Sequence, residues 1–150
     1  MSRLPPLHPS ELTPEQEETY QSLIAGPRGK NIVDEKGTLT GPFNAMLYSP
    51  QIGNKLQELG SQLRFDSELP PNLLELAIIT IGAHWKAQFE FWIHSKLAKE
   101  AGITEDVINA IKSFQTPNLK NEEKIIYDFC QEMLDRKRIS TNNYEKALEL

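Results

Sequence analysis

The segment from Asn72 to His84 constrains the fold more than any other part of the sequence. Apolar residues occupy every face of a helix drawn through it, and Glu75 is the only charged residue between Leu69 and Ala83. Pro70 and Pro71 precede the segment and favour a helix start. A helix that is apolar all round is buried on all sides. We therefore expect a central helix covered by its neighbours.

A second helix is predicted over residues 86–101, ended by Gly102. The connection Ala83–Lys86 is short, so the two helices should form an antiparallel hairpin. Glu90 and His94 lie four residues apart and are therefore adjacent on the second helix. At about 100° per residue, they share one otherwise apolar side with Ala87, Phe91, Leu97, Ala98 and Ala101.

Helix-start signals predict an all-α protein. Thr13 is a candidate N-cap before Pro14, and Ser49-Pro50 opens a further helix, because proline suits the first turn of a helix. No segment shows the alternation typical of a strand. We predict one compact domain over residues 1–150 with about six to seven helices, an extended arm over 1–12 and a loop over 26–42. The remaining helices are predicted over 104–113 and 121–137 and from Ser140 or Thr141 onward.

Composition narrows the classes of partner. The chain has 150 residues, 25% of them charged, and a net charge of −5 without a basic stretch, which argues against nucleic acid and anionic membranes as partners. Its apolar runs are too short to cross a bilayer, and no N-terminal segment looks like a signal peptide. The single cysteine, Cys130, excludes a disulfide or a cysteine-pair redox centre within one chain. We therefore expect a cytoplasmic protein.

Glu75, His94 and Glu90 are the candidate catalytic residues. If the two helices pack antiparallel, Glu75 can pair with His94, orient the imidazole and make it a better base. Glu90 would act as a general acid or base, or would lie at the rim with its carboxylate in water. A buried Glu–His pair that serves packing alone is the alternative. The three histidines lack metal-ligand spacing, so neither a metal nor a cofactor is expected.

Four residues are candidates for contact with a small-molecule substrate. Phe43, Asn44 and Met46 follow a Gly-Pro turn and could wall a pocket, with Asn44 as its fixed polar group. Asn44 as a helix N-cap is the alternative. Trp85, at the turn between the two central helices, is the fourth candidate.

The aromatic side of the second central helix predicts an oligomer. Phe89, Trp92 and Ile93 lie opposite Glu90 and His94 and are too apolar for solvent. Together with the all-apolar helix over residues 72–84, they present more apolar surface than one small core needs. We therefore expect a homo-oligomer.

Taken together, these motifs resemble those of the carboxymuconolactone decarboxylase family, which includes the alkylhydroperoxidase D-like proteins. The resemblance covers about residues 40–150 and is carried by Glu75 and His94 at their spacing, Leu69-Pro70-Pro71, Ala101-Gly102 and Gly41-Pro42-Phe43-Asn44. It implies an alkylhydroperoxidase D-like helical fold that assembles as trimers or hexamers, and a further apolar helix after 144–150. It also implies one of two chemistries: decarboxylation of a muconolactone, or thiol-dependent peroxide reduction.

The chain departs from the peroxidase branch at two positions. That branch would place cysteines at positions 87 and 90, where this chain has Ala87 and Glu90. Without a thiolate there is no nucleophile for a peroxide. The sequence therefore predicts a cofactor-independent acid–base lyase or decarboxylase for a small carboxylated lactone or keto acid. A catalytically silent oligomeric or ligand-binding protein is the alternative, and a thiol peroxidase is the third candidate.

Overall fold

The prediction of an all-α protein is confirmed. The structure is a computed structural model that describes residues 3–150, except for the side chain of Lys30. These residues form eight α-helices and no β-strand, and none of the helices is long and apolar enough to cross a membrane. The helices are α1 (Pro14–Ala25), α2 (Phe43–Leu47), α3 (Pro50–Phe65), α4 (Pro71–His84), α5 (Gln88–Glu100), α6 (Glu105–Lys112), α7 (Asn121–Arg136) and α8 (Thr141–Ala147).

Three helices begin at the capping residues that the sequence indicates. Thr13 accepts a hydrogen bond from the Gln16 N–H, and the Gln16 side chain accepts one from the Thr13 N–H, which completes a capping box at α1. Thr104 caps α6 in the same position, and Ser140 caps α8. Each cap satisfies a backbone N–H that the first turn leaves without a partner.

The chain divides into two compact units, with the boundary between Ser67 and Glu68. The first unit contains α1–α3 and the second contains α4–α8. A single domain over the whole chain stays a prediction.

The first unit packs α1, α2 and α3 around a small apolar core. The segment predicted as a loop over 26–42 is partly structured, with a 3₁₀ turn at Gly29–Ile32 and an antiparallel bridge between Val33 and Leu39. Gly53 lets α3 approach α2, since a Cβ atom there would lie 2.5 Å from the Met46 carbonyl oxygen. The buried core residues are Tyr20, Leu23, Ile32, Leu39 and Leu47.

An apolar stripe on α3 is exposed. The sequence predicts an amphipathic helix here, and the structure leaves its apolar residues between 52% and 67% exposed. Their spacing of four, three and four residues is that of a coiled-coil seam rather than of a broad core-facing side. The stripe consists of Ile52, Leu56, Leu59 and Leu63.

In the second unit, α4 is the central helix, as the sequence predicts. It packs against α5, α6 and α7. Half of its fourteen residues are buried, whereas α5 buries only Ala98. The buried member of the hairpin is therefore α4, and α5 lies nearer the surface. The core cluster of the second unit comprises Leu76, Ile79, Ala83, Ala98, Ile103, Val107, Ile108 and Ile111.

Left-handed residues end α4 and α6. After α4, the Lys86 N–H donates to the Ala83 carbonyl and the Ala87 N–H to the Gly82 carbonyl, with Lys86 at φ 53°. This is the Schellman pattern, in which glycine is the usual left-handed residue. Phe114 occupies the same position after α6, at φ 57°. The helix predicted to begin at residue 86 therefore begins at Gln88, because Lys86 belongs to the cap.

One carboxylate fastens α8 to α7. Glu132 Oε2 accepts hydrogen bonds from the Ser140 N–H, the Ser140 hydroxyl and the Asn143 amide at 3.2, 2.9 and 2.7 Å. Its other oxygen accepts from Arg136 at 3.2 Å. These hydrogen bonds from Ser140, Asn143 and the Arg136 charge hold the pKa of Glu132 below its usual range.

Candidate functional site

Glu75 and His94 meet inside the α4–α5 hairpin. Glu75 Oε2 lies 2.7 Å from His94 Nδ1, which confirms the contact expected from the short connection. The side chains are 7% and 12% exposed, respectively. With Glu75 ionised, its oxygen can only accept, so Nδ1 carries the hydrogen and Nε2 keeps a lone pair. The contact with Glu75 therefore holds the imidazole in one orientation.

Glu90 lies at the second nitrogen of the imidazole. Its Oε2 is 3.4 Å from His94 Nε2, one turn earlier on α5, and its side chain is 45% exposed. The lone pair of a neutral imidazole nitrogen and an ionised carboxylate oxygen are both hydrogen-bond acceptors. Their close approach is therefore favourable when one of the two groups carries a proton. Glu75, His94 and Glu90 form a line from the interior to solvent, which we call the relay.

The relay does not have the shape of a metal site. Its two carboxylates contact opposite nitrogens of one ring, so their oxygens do not converge on a common point. Within residues 3–150, no group of three or more histidine, cysteine, aspartate or glutamate side chains could hold an ion.

Phe43, Asn44 and Met46 lie in the first unit, where they have structural contacts. The Asn44 side chain accepts from the Leu7 N–H and donates to the Pro5 carbonyl, both at 3.0 Å. Asn44 therefore holds the N-terminal segment, a role that the sequence does not reveal. The N-cap alternative for Asn44 is wrong, since α2 begins after Pro42 without a side-chain cap. Contact of these three residues with a substrate stays a prediction.

Trp85 is the C-cap of α4 and is 66% exposed. Its ring packs edge-on against His84, with centroids 5.3 Å apart, and the Lys137 ammonium lies 5.9 Å from the ring centroid. An exposed ring at a helix end could contact a substrate, and that role also stays a prediction.

A groove of about 490 Å³ between α5 and α6 was not predicted from the sequence. Helical spacing indicates only its α5 wall, since Trp92, Lys96 and Lys99 fall on one side of α5. None of Glu75, Glu90 and His94 lines it. The apolar wall consists of Ala83, Ala87, Phe91, Trp92, Ile108 and Phe114.

Cys130 is buried in the second unit beside Leu73 and Ile126. Burial raises the pKa of the Cys130 thiol to about 11. At neutral pH the sulfur is therefore a protonated thiol, which is a poor nucleophile.

Comparison of the chain with protein-family models, curated proteins and solved structures finds no match. Membership of the carboxymuconolactone decarboxylase family therefore stays a prediction from the sequence.

Proposed function

We propose that the protein is a cofactor-independent acid–base lyase that decarboxylates a small carboxylated lactone or β-keto acid. The observation that carries the proposal is the relay, in which a buried carboxylate holds an imidazole 2.7 Å away and a half-exposed carboxylate lies 3.4 Å from the other nitrogen. Such a line can hold one proton, deliver it to a substrate and regain it from water.

The chemical step needs only a proton. The C–C bond to the carboxylate breaks, CO₂ leaves, and the electron pair passes into the neighbouring carbonyl as an enolate. His94, first protonated at Nε2 by way of Glu90, gives that proton to the carbon that lost CO₂, and Glu75 stabilises the imidazolium before transfer. Glu90 returns a proton from water to His94. The sum is one substrate carboxylate and one proton giving the product and CO₂.

The resemblance to the carboxymuconolactone decarboxylase family supports the lyase over the peroxidase. Glu75 and His94 match the acid–base residues that the two branches share, and Ala87 and Glu90 stand where the peroxidase branch has cysteines. The remaining thiol, Cys130, is buried and protonated.

The test is turnover in D₂O with a panel of carboxylated lactones and β-keto acids. We expect CO₂ release above the rate of the enzyme-free control, and NMR should find deuterium at the carbon that carried the carboxylate. Absence of turnover across the panel, with the protein folded by circular dichroism, would contradict the proposal.

We expect no thiol-dependent chemistry. Peroxide consumption with a dithiol reductant should remain at background, because the Cys130 thiol is protonated well above neutral pH. Native Cys130 should also react slowly with an aromatic disulfide reagent until the protein is unfolded. Reductant-dependent peroxide consumption that is lost in Cys130→Ser would contradict this prediction.

A ligand-binding protein without turnover is the second candidate. The observation that favours it is that the groove beside α5 is lined without any of the relay residues. In that case Glu75 and His94 would tie α4 to α5 and do no chemistry.

We further propose that the protein is a homo-oligomer that pairs through α3. On the α5 side where the contact was expected, Trp92 is exposed but Phe89 and Ile93 are half-buried in the second unit. On α3, all four residues of the stripe are exposed. In an antiparallel pair of α3 helices, Ile52 would face Leu63 and Leu56 would face Leu59. The stripe is therefore self-complementary, as a two-fold contact requires. Such a contact fits a dimer or a hexamer.

Leu56→Lys should dissociate the oligomer, since a lysine in the middle of the apolar contact would be buried without a partner. Light scattering at micromolar concentration should report a smaller species that keeps wild-type helicity. Trp92→Lys is the comparison and should keep the wild-type mass. Dissociation by Trp92→Lys alone would place the contact on α5 instead.

A further inference from the structure

We propose that the groove between α5 and α6 binds an amphipathic monocarboxylate with a large apolar body, such as a medium-chain fatty acid. This site is separate from the relay, and the proposal does not depend on the lyase reaction.

The volume and the wall of the groove fit such a ligand. Small-molecule pockets have about 300–1,000 Å³ and mostly apolar walls with a few placed polar groups. This groove has about 490 Å³, and aromatic side chains of Phe91, Trp92 and Phe114 contribute to its wall. Trp92 is 55% exposed and Phe114 67% exposed. Exposure of two large aromatic rings at one groove is typical of a binding surface.

The charge at the groove selects an anion. Four lysines line it against a single acidic side chain, Glu105, although the chain as a whole has a net charge of −5. Glu105 pairs with one of the lysines at 3.2 Å, and another lies 3.7 Å from the Trp92 ring centroid. Like charges on both partners would also oppose a symmetric groove-to-groove contact between two copies. The four lysines are Lys86, Lys96, Lys99 and Lys112.

Two of the lysines remain available for a carboxylate. Lys86 and Lys112 are exposed and form no ion pair with any residue in the described part of the chain. A ligand carboxylate at the rim of the groove would be attracted by these two positive charges. The apolar body of the same ligand would cover Phe91 and Trp92. This arrangement distinguishes an amphipathic anion from a neutral apolar ligand.

The backbone supplies an independent observation. Three non-glycine residues among residues 3–150 have positive φ, and two of them, Lys86 and Phe114, line this groove. Such conformations cost free energy and concentrate at functional sites. Glycine at either Schellman position would remove the strain, so a role for these side chains in binding explains why the strain is kept.

The test uses sodium decanoate below its micelle concentration, with decanol as the matched neutral ligand. The chain has two tryptophans, so Trp85→Phe leaves Trp92 as the only tryptophan fluorophore. We expect saturable, one-to-one binding of decanoate by fluorescence and calorimetry, weakened by added salt. Decanol should bind more weakly and without the salt dependence.

Variants separate the charge from the apolar wall. Lys86→Gln and Lys112→Gln should each weaken decanoate binding by about two- to fivefold, as expected for exposed charge contacts of up to about 1 kcal/mol. Phe114→Gly should stabilise the fold by removing the positive-φ strain and yet weaken binding of both ligands. Lys146→Gln, whose lysine lies on α8 outside the groove, should bind as wild type.

His94→Ala should also bind decanoate as wild type, since His94 does not line the groove. A failure of the proposed lyase activity can therefore be distinguished from a failure of the proposed binding site. Equal affinity for decanoate and decanol with no effect of the lysine variants, or a decanoate signal that arises only from dissociation of an oligomer, would overturn the proposal.

Discussion

His94→Ala should lower kcat/KM for decarboxylation by about 10²- to 10⁴-fold, the loss typical of a missing general acid or base. The imidazole is the only group in the relay that contacts both carboxylates, at 2.7 and 3.4 Å. Its removal leaves Glu75 buried without its imidazole partner and leaves Glu90 without a group to reprotonate. Steady-state kinetics on the best substrate of the D₂O panel measures this loss.

Variants of the two carboxylates separate their roles. Glu75→Gln can still hold the ring through a hydrogen bond but cannot stabilise an imidazolium, so it should also reduce kcat. Glu90→Gln should have the milder effect, because that carboxylate is half-exposed and water can replace it. His84→Ala is the matched histidine control, because His84 is the last residue of α4, next to the turn of the same hairpin. This variant should retain activity.

Melting curves of the same variants distinguish chemistry from packing. If Glu75 and His94 serve only to join α4 and α5, their substitution lowers the melting temperature and no turnover exists to lose. An active protein whose rate is unchanged in His94→Ala would eliminate the relay mechanism.

Gly53→Ala should lower the free energy of unfolding by about 1–3 kcal/mol, the range expected for a group forced into filled space. A Cβ at Gly53 would lie 2.5 Å from the carbonyl oxygen of Met46 and 2.8 Å from its Cβ. These are backbone-anchored atoms that cannot rotate away, so α3 would have to separate from α2. Urea unfolding followed by circular dichroism measures the change.

Gly60→Ala is the matched control in the same helix. A Cβ there would meet only the end of the Arg28 side chain, at 3.2 Å, and that side chain can move. The substitution should therefore show the ordinary preference of a helix for alanine and raise the free energy of unfolding by up to about 1 kcal/mol. A similar loss in both variants would mean that helix geometry, rather than the contact with Met46, decides the effect.

The fold was predictable where short-range chemistry decides it. Thr13-Pro14, Thr104 and Ser140 mark helix starts because each satisfies a backbone N–H locally. The turn between α4 and α5 was less predictable. Its left-handed position after α4 is occupied by Lys86, whereas glycine is the usual signal for such a position. The exposure of the α3 stripe was also hidden, since helical spacing identifies an apolar side but not what covers it.

The relay contact was predictable because two isolated ionisable residues lay on apolar sides of adjacent helices joined by a short turn. The groove was not, because its lysines come from α5, α6 and the turn before α5, and only the packing of those elements brings them together. The hydrogen bonds of Asn44 to residues 5 and 7 were equally hidden, since they join positions 37 and 39 residues apart.

The attachment of α8 through Glu132 makes the last helix sensitive to acid. Its contacts from Ser140 and Asn143 stabilise the ionised carboxylate, whose pKa is lowered in the folded chain. Their stabilising effect is fully present above the ordinary pKa of the carboxyl and is lost as the pH falls through the lowered value. Protonation weakens all of these attachments together, since they share one group. Acidification should therefore loosen the attachment of α8 to α7 at this point.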